Sequence, residues 1–202
     1  DYLAFLDDDD EFLADKIASQ VKRLQELPEE YAVCYSKFYL KKEYNKPFLS
    51  SENREGDLYF DALTRKFSFA AGSNMLIKKT CFESINGFDE KFTRNQDKEI
   101  VTRLLMKYKI AYSPVVGLIV HLHSNYSYFN PIDITDQYLE KFKAEISDLP
   151  ADMRKTFDKI VLEDRFFYHL RSNHEYKQCL RMIIKNEISP LTTLRIIFSH
   201  AL

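Results

Sequence analysis

The first apolar run, Tyr2-Leu3-Ala4-Phe5-Leu6, is followed without a break by Asp7, Asp8, Asp9, Asp10 and Glu11. Such a run predicts a buried strand, and the acids stand where that strand must end. Leu13, Ile17, Val21 and Leu24 then fall at helical spacing, and Pro28 closes that helix. Ala32 to Leu40 is a second β-type run, followed by a polar, irregular stretch from Lys41 to Gly56. Phe67 to Lys78 predicts a strand interrupted at Ala70-Ala71-Gly72-Ser73, where small side chains permit close approach of a ligand or another backbone. A short helix from Cys81 to Ile85 ends at Asn86-Gly87, and Asn95 reads as the N-cap of a helix from Gln96 to about Lys107. Ile110 to Ser113 and Val115 to Leu122 predict two further strands.

From Ile132 the pattern becomes helical. Ile134, Tyr138, Leu139, Phe142 and Ile146 share one face, and Met153, Phe157, Ile160, Val161 and Phe167 another after Pro150. Tyr176, Leu180, Ile183 and Ile184 predict a third helix, and Leu191, Leu194, Ile197 and Phe198 a fourth after Pro190. The expectation is an α/β portion over residues 1–130 and a helical extension over residues 131–202. Arg165, Arg171, Lys177, Arg181 and Lys185 lie on the polar faces of that extension. Two readings stay open for it: a helical pack with no further role, or a surface for a partner or a peripheral membrane contact.

A formal net charge of -2 gives no basic excess, so nucleic acid is not an expected partner. Cys34, Cys81 and Cys179 are odd in number and far apart, which suits reduced thiols in a cytoplasmic setting, with neither a disulfide framework nor a zinc site. No apolar run is long enough to cross a bilayer. An exposed sheet edge would favour a homo-oligomer.

Candidate chemistry centres on the acids. In open α/β sheets, ligands bind beyond the carboxyl ends of the strands, and neighbouring carboxylates repel unless a cation joins them. Hard divalent ions such as Mg²⁺ or Mn²⁺ take oxygen ligands and leave positions for substrate phosphates. The competing reading is helix capping, which accounts for Asp10 and Glu11 but not for all five acids. Asp97 falls in the first turn of its helix, where helix-end stabilisation alone would explain it. His121 and His123 face one side of a strand, as phosphate or metal contacts or as ordinary hydrogen-bonded side chains.

Two segments carry a family resemblance. Phe5-Leu6-Asp7-Asp8-Asp9-Asp10-Glu11-Phe12-Leu13, with Asp15-Lys16-Ile17 and Gln20-Val21 behind it, resembles the D-x-D segment of family 2 glycosyltransferases. Gly72-Ser73-Asn74-Met75-Leu76-Ile77, then Gly87-Phe88-Asp89-Glu90-Lys91-Phe92, Gln96-Asp97 and Arg103-Leu104, resembles the acceptor-side segment of the same family in the same order. The resemblance implies a GT-A fold, Rossmann-like with a mixed sheet, present here as an incomplete portion followed by the α-helical C-terminal extension. The nucleotide-binding half of that fold precedes the D-x-D strand, so the resemblance also implies that the chain is the C-terminal piece of a larger enzyme.

The activity implied is inverting transfer of a sugar from a nucleotide-diphosphate donor to a glycan or lipid-linked acceptor, of the kind used in bacterial surface polysaccharide synthesis. Asp7 and Asp9 would hold Mn²⁺ or Mg²⁺, with Asp9 the more direct ligand. Asp8 and His123 would meet the donor. Gly72, Ser73, Asn74 and Gln96 would meet the acceptor, and Asp97 would be the general base. Two alternatives stand beside this: another metal-dependent nucleotide-sugar or nucleotidyl transferase, and a non-catalytic helical interaction module.

Overall fold

The computed structural model describes residues 1–42, 45–122, 131–171, 175–185 and 188–189. The chain forms two compact units, Asp1–Ser127 and Tyr128–Leu202. In the first unit the elements run β1 (Tyr2–Ala4), β2 (Glu11–Phe12), α1 (Lys16–Gln25), β3 (Tyr31–Lys42), β4 (Phe48–Leu49), α2 (Tyr59–Leu63), α3 (Ala71–Asn74), β5 (Leu76–Lys78), α4 (Lys79–Ser84), α5 (Gln96–Leu105) and β6 (Lys109–Leu122). They build a mixed sheet ordered β1-β5-β3-β6-β2, with β4 paired to β3. The backbone of the sheet is the long parallel pair β3 and β6; the other pairings are antiparallel.

Both faces of this sheet are covered, which is why β3 reads as an almost unbroken apolar run. Side chains alternate across a strand. Cys34, Leu76 and Ala111 therefore pack with Leu24 of α1 on one face. Their neighbours Tyr35, Ile77 and Ile110 pack with Ile100 and Leu104 of α5 on the other. Tyr35 also meets Phe67 edge-on at 5.6 Å and lies 4.9 Å from Phe69, ring centre to ring centre.

The structure departs from the sequence pattern in three places. The two strands expected at Ile110–Ser113 and Val115–Leu122 are one strand, β6, whose register against β3 jumps from Ser113 to Val116. Pro114 has no N–H for the ladder, so the chain bulges there and resumes. The strand expected from Phe67 to Lys78 is confined to Leu76–Lys78, and Ala71–Asn74 forms a helical turn instead. Finally, the buried strand expected at Tyr2–Leu6 is a short edge strand, Tyr2–Ala4, at one end of the strand order, with Ala4 and Leu6 exposed.

The second unit holds α6 (Pro131–Lys141), α7 (Lys143–Ser147), α8 (Ala151–Arg171) and α9 (Tyr176–Ile184). Tyr138, Phe142, Ile146 and Phe157 are buried, as their helical spacing predicts. Phe166 of α8 packs with Cys179 and Met182 of α9. The fourth helix expected at Leu191 to Phe198 lies outside the described residues.

Helix α1 turns an unexpected face inward. Its apolar Ile17 is 37% exposed, while Lys16 and Gln20 are buried with Leu24. The Lys16 ammonium donates to Gln20 Oε1 at 2.9 Å and sits 4.3 Å over the Phe12 ring. Its stem lies against Gly117, where an added Cβ would come within 2.7 Å of Lys16 Cγ. Burial without a carboxylate partner favours the neutral amine, and the Lys16 pKa falls to about 8.

A lysine whose folded pKa is lowered stabilises fully above its unfolded pKa and loses that contribution as pH falls through the folded value. Stability from Lys16 therefore rises with pH above about 8. Burial pushes the Cys34 thiol up to about 12, so above the ordinary thiol range near 9 it opposes that gain. Lys16→Met is expected to raise stability at pH 7 by roughly 1–3 kcal/mol and to abolish the rise between pH 8 and 9. Urea unfolding at a series of pH values checks this; an unchanged pH slope contradicts it.

Candidate functional site

The acids after β1 form a turn closed by the Asp10 N–H on the Asp7 carbonyl at 3.2 Å. They then divide. Asp10 Oδ1 accepts the His121 backbone N–H at 3.0 Å, and Glu11 Oε1 lies 2.6 Å from His121 Nε2. These two acids fasten the turn to β6. The capping role expected of them is absent, since α1 is preceded by Asp15 in a left-handed conformation and has no acid in its first turn.

Asp7 points elsewhere. Its carboxylate lies over Gly72, where an added Cβ would stand 2.7 Å from Asp7 Oδ2. Gly72 is thus required for closeness and not for an unusual backbone angle. The Asp7 N–H donates to Ser73 Oγ at 3.0 Å. The small-residue stretch read from sequence is therefore the seat of the first acid of the cluster.

Helix α5 brings in Asp97 from ninety residues away. Asp7 is exposed at the surface, yet partial burial of its carboxylate raises its pKa, and the negative charges of Asp10, Asp9 and Asp97 raise it further, against a hydrogen bond from Ser73 that lowers it. Asp97 is half-buried and lines a cavity of about 60 Å³ with Phe67, Phe69, Ala70 and Lys98. Ala70 and Asn95, which precede α3 and α5, both take left-handed backbone angles at φ 55. Asn tolerates that conformation, whereas at Ala70 it costs about 1–2 kcal/mol.

What holds α5 in place is a buried ion pair. Glu99 is fully buried, and Arg103 one turn later grips it through Nε at 2.5 Å and through a second nitrogen at 2.6 Å. The same guanidinium donates to the carbonyls of Ile85 and Gly87 at 2.6 and 2.8 Å. The end of α4 and the first turn of α5 are thereby joined, with Asp97 two residues before the paired carboxylate.

The remaining expected contacts sort by exposure. Gln96 is exposed beside Asp97, Asp8 is exposed at the tip of the turn and Asp9 is half-buried. Asn74 is fully buried and its side chain is spent inside the protein: Oδ1 accepts from Ser36 N and Oγ, and Nδ2 donates to the carbonyls of Ser36 and Phe69. Gln20 extends the network by donating to the carbonyls of Cys34 and Asn74. Sequence reading missed this role for Lys16 and Gln20, although their i, i+4, i+8 spacing with Leu24 was available. His123 and the loop after it lie outside the described residues. Arg54, in the polar stretch that ends at Gly56, is held by Glu52 and Asp61 over the Phe67 ring.

No group of three or more His, Cys, Asp or Glu among the described residues is preassembled as a metal cage. The oxygen donors nevertheless suit a hard divalent ion, which takes one or two protein carboxylates and fills its other positions with water and phosphate. The repulsion that raises Asp7 is what such an ion would relieve.

A family model described as glycosyltransferase like family 2 matches residues 1–178. Solved structures of similar fold include residues 1–349 of TarS from S. aureus in complex with UDP, with a TM-score of 0.53 and 12% identity over 86% of this chain and 48% of that one. The complex of the same TarS fragment with UDP-GlcNAc gives 0.51 and 14% over 84% and 49%. TarS from S. aureus without that truncation gives 0.53 and 13% over 85% and 29%. The chain thus spans about half the length of the TarS fragment it resembles. No curated protein shows significant sequence similarity to it.

Two outcomes follow from the charges. A carboxylate whose folded pKa is raised destabilises above that pKa and not below the unfolded value. Asp7→Asn is therefore expected to raise the melting temperature at pH 7, the gain fading as pH falls through the carboxylate range. Arg103→Leu, which strands the buried Glu99 carboxylate, is expected to cost about 3–5 kcal/mol in urea unfolding. Adding Glu99→Leu should recover much of that loss.

Proposed function

This chain belongs to glycosyltransferase like family 2, and we propose that it carries the metal- and acceptor-binding part of an inverting transferase. The reaction moves a sugar from a nucleotide-diphosphate donor to a hydroxyl of a glycan or lipid-linked acceptor. The observation that carries this reading is that Asp97, ninety residues along the chain, adds its charge to those of Asp10 and Asp9 around Asp7.

Asp97 acts as general base. It takes the proton of the acceptor hydroxyl as that oxygen bonds to the anomeric carbon and the bond from that carbon to the donor diphosphate breaks. Attack from the face opposite the departing diphosphate inverts the anomeric centre. Asp7 and Asp9 are the residues that would hold Mg²⁺ or Mn²⁺, which when bound supplies positive charge to the leaving diphosphate. Asp8, exposed on the same turn, lies on the donor side. Gly72 and Ser73 form the floor beneath Asp7, and Gln96 orients the acceptor beside the base. Asn74 serves by position, since its amide is committed to Ser36 and Phe69.

The UDP and UDP-GlcNAc complexes of TarS support a uridine-type donor here. A cytoplasmic setting, at the inner face of a membrane, suits both a nucleotide-sugar donor and a lipid-linked acceptor.

Calorimetric titration with Mn²⁺ and UDP, together with release of UDP from UDP-GlcNAc, tests the assignment when made on an intact enzyme that contains this portion. Metal-dependent UDP binding is expected in the wild type, lost in Asp9→Asn and kept within about two-fold in Asp97→Asn. Turnover in Asp97→Asn should fall by roughly 10²–10⁴ through kcat. Unimpaired transfer by Asp97→Asn would remove the base assignment, and metal-independent UDP binding would remove the D-x-D assignment.

A further inference from the structure

Helix α9 presents three distinct faces. Cys179 and Met182 point inward to Phe166 of α8. Tyr176, Leu180 and Ile184, spaced four apart, are 57%, 57% and 77% exposed. Lys177, Arg181 and Lys185, each one position later, are exposed beside them. At 100° per residue the apolar stripe and the basic stripe are adjacent, and with the exposed Gln178 they make up the solvent side of the helix. Tyr176 to Lys185 contains no Asp or Glu, although the whole chain is slightly acidic. Glu175, just before the helix, is 2.6 Å from His169 Nδ1.

Three of the large apolar side chains exposed among the described residues thus stand on one short helix with a row of cations along their edge. A solvated face accounts for the cations and leaves the apolar row unexplained. A second copy of the chain docked through this stripe would line one seam with both sets of cations and no acid from either helix. An interface that is apolar on one side and anionic on the other satisfies both rows at once, and the surface of an anionic bilayer has that arrangement.

We propose that α9 is a peripheral membrane-binding element that lies flat on an anionic lipid surface, with Tyr176, Leu180 and Ile184 entering the headgroup boundary and Lys177, Arg181 and Lys185 meeting lipid phosphates. The proposal gives a surface to the peripheral contact named above and rests on no step of the transfer chemistry. No helix among the described residues is long and apolar enough to cross a membrane. Contact through nine residues is weak and reversible, with each cation contributing about five-fold to partitioning.

Flotation of the full chain with vesicles of phosphatidylcholine, with and without phosphatidylglycerol, tests it. Binding is expected only to the anionic vesicles and is expected to weaken at high salt. Leu180→Asn with Ile184→Asn should reduce it at least ten-fold, and Lys177→Gln, Arg181→Gln and Lys185→Gln together by about 10². All these positions are exposed, so helical circular dichroism should be unchanged in each variant. No binding to anionic vesicles overturns the proposal, as does binding that survives the Leu180 and Ile184 changes. A dimer in sedimentation that the same two changes dissolve would assign the stripe to a second copy and also overturn it. Mn²⁺ and UDP titration of these variants reads the transferase site separately.

Discussion

The buried carboxamide of Asn74 is the joint on which the candidate site depends. Four hydrogen bonds converge on it from Ser36 and Phe69, and the carbonyl of the same residue accepts from Gln20. A buried amide left without such partners costs about 1–3 kcal/mol for each group stranded. Full satisfaction therefore locks the Ala71–Asn74 turn against β3 on one side and α1 on the other. Ser73 and Gly72 follow from that turn, and the position of Asp7 follows from them.

The same region holds several features that work against stability. Asp7 is surrounded by like charges, Ala70 is held in a left-handed angle and Lys16 is buried beside an amide instead of an acid. Each persists because the packing around it leaves no cheaper arrangement, and such costs collect where a surface is shaped for a ligand. Lys16 differs from the other two. It belongs to the wall that supports the turn, and its stem closes the space above Gly117. An apolar residue of similar length would support the same wall, so its charge is a cost of this sequence and not a requirement of the fold.

Much of this architecture was legible from residue types and spacing. The acids at a strand end, the small residues near Gly72 and the helix that begins at Gln96 all stand out because few other structures call for them in that order. Less legible were the arrangements decided by partners distant in the chain. Nothing local in Ala71-Gly72-Ser73-Asn74 chooses a helical turn over a strand; the choice belongs to the hydrogen bonds that Asn74 makes with Ser36. The inward face of α1 was misjudged for a related reason. Ile17 carries the stronger hydrophobic signal, but the carbonyls of Cys34 and Asn74 need a donor, and Gln20 supplies it. The Glu99–Arg103 pair had a visible i, i+4 spacing, yet only the carbonyls at the end of α4 show why it is buried.

The acidic run also shows how one short motif serves two ends. Glu11 and Asp10 engage His121 and so anchor the turn to β6, the strand that pairs in parallel with β3. Asp7 leans the opposite way, onto the turn that Asn74 fixes to β3. The turn is therefore held at both ends by elements of the same rigid strand pair, and the acids between are left with little freedom to separate. Asp7, which feels the charges of Asp10, Asp9 and Asp97, thus carries a repulsion that the fastened backbone does not relax. Under the function proposed above, that same repulsion is what a cation bound between the acids would relieve.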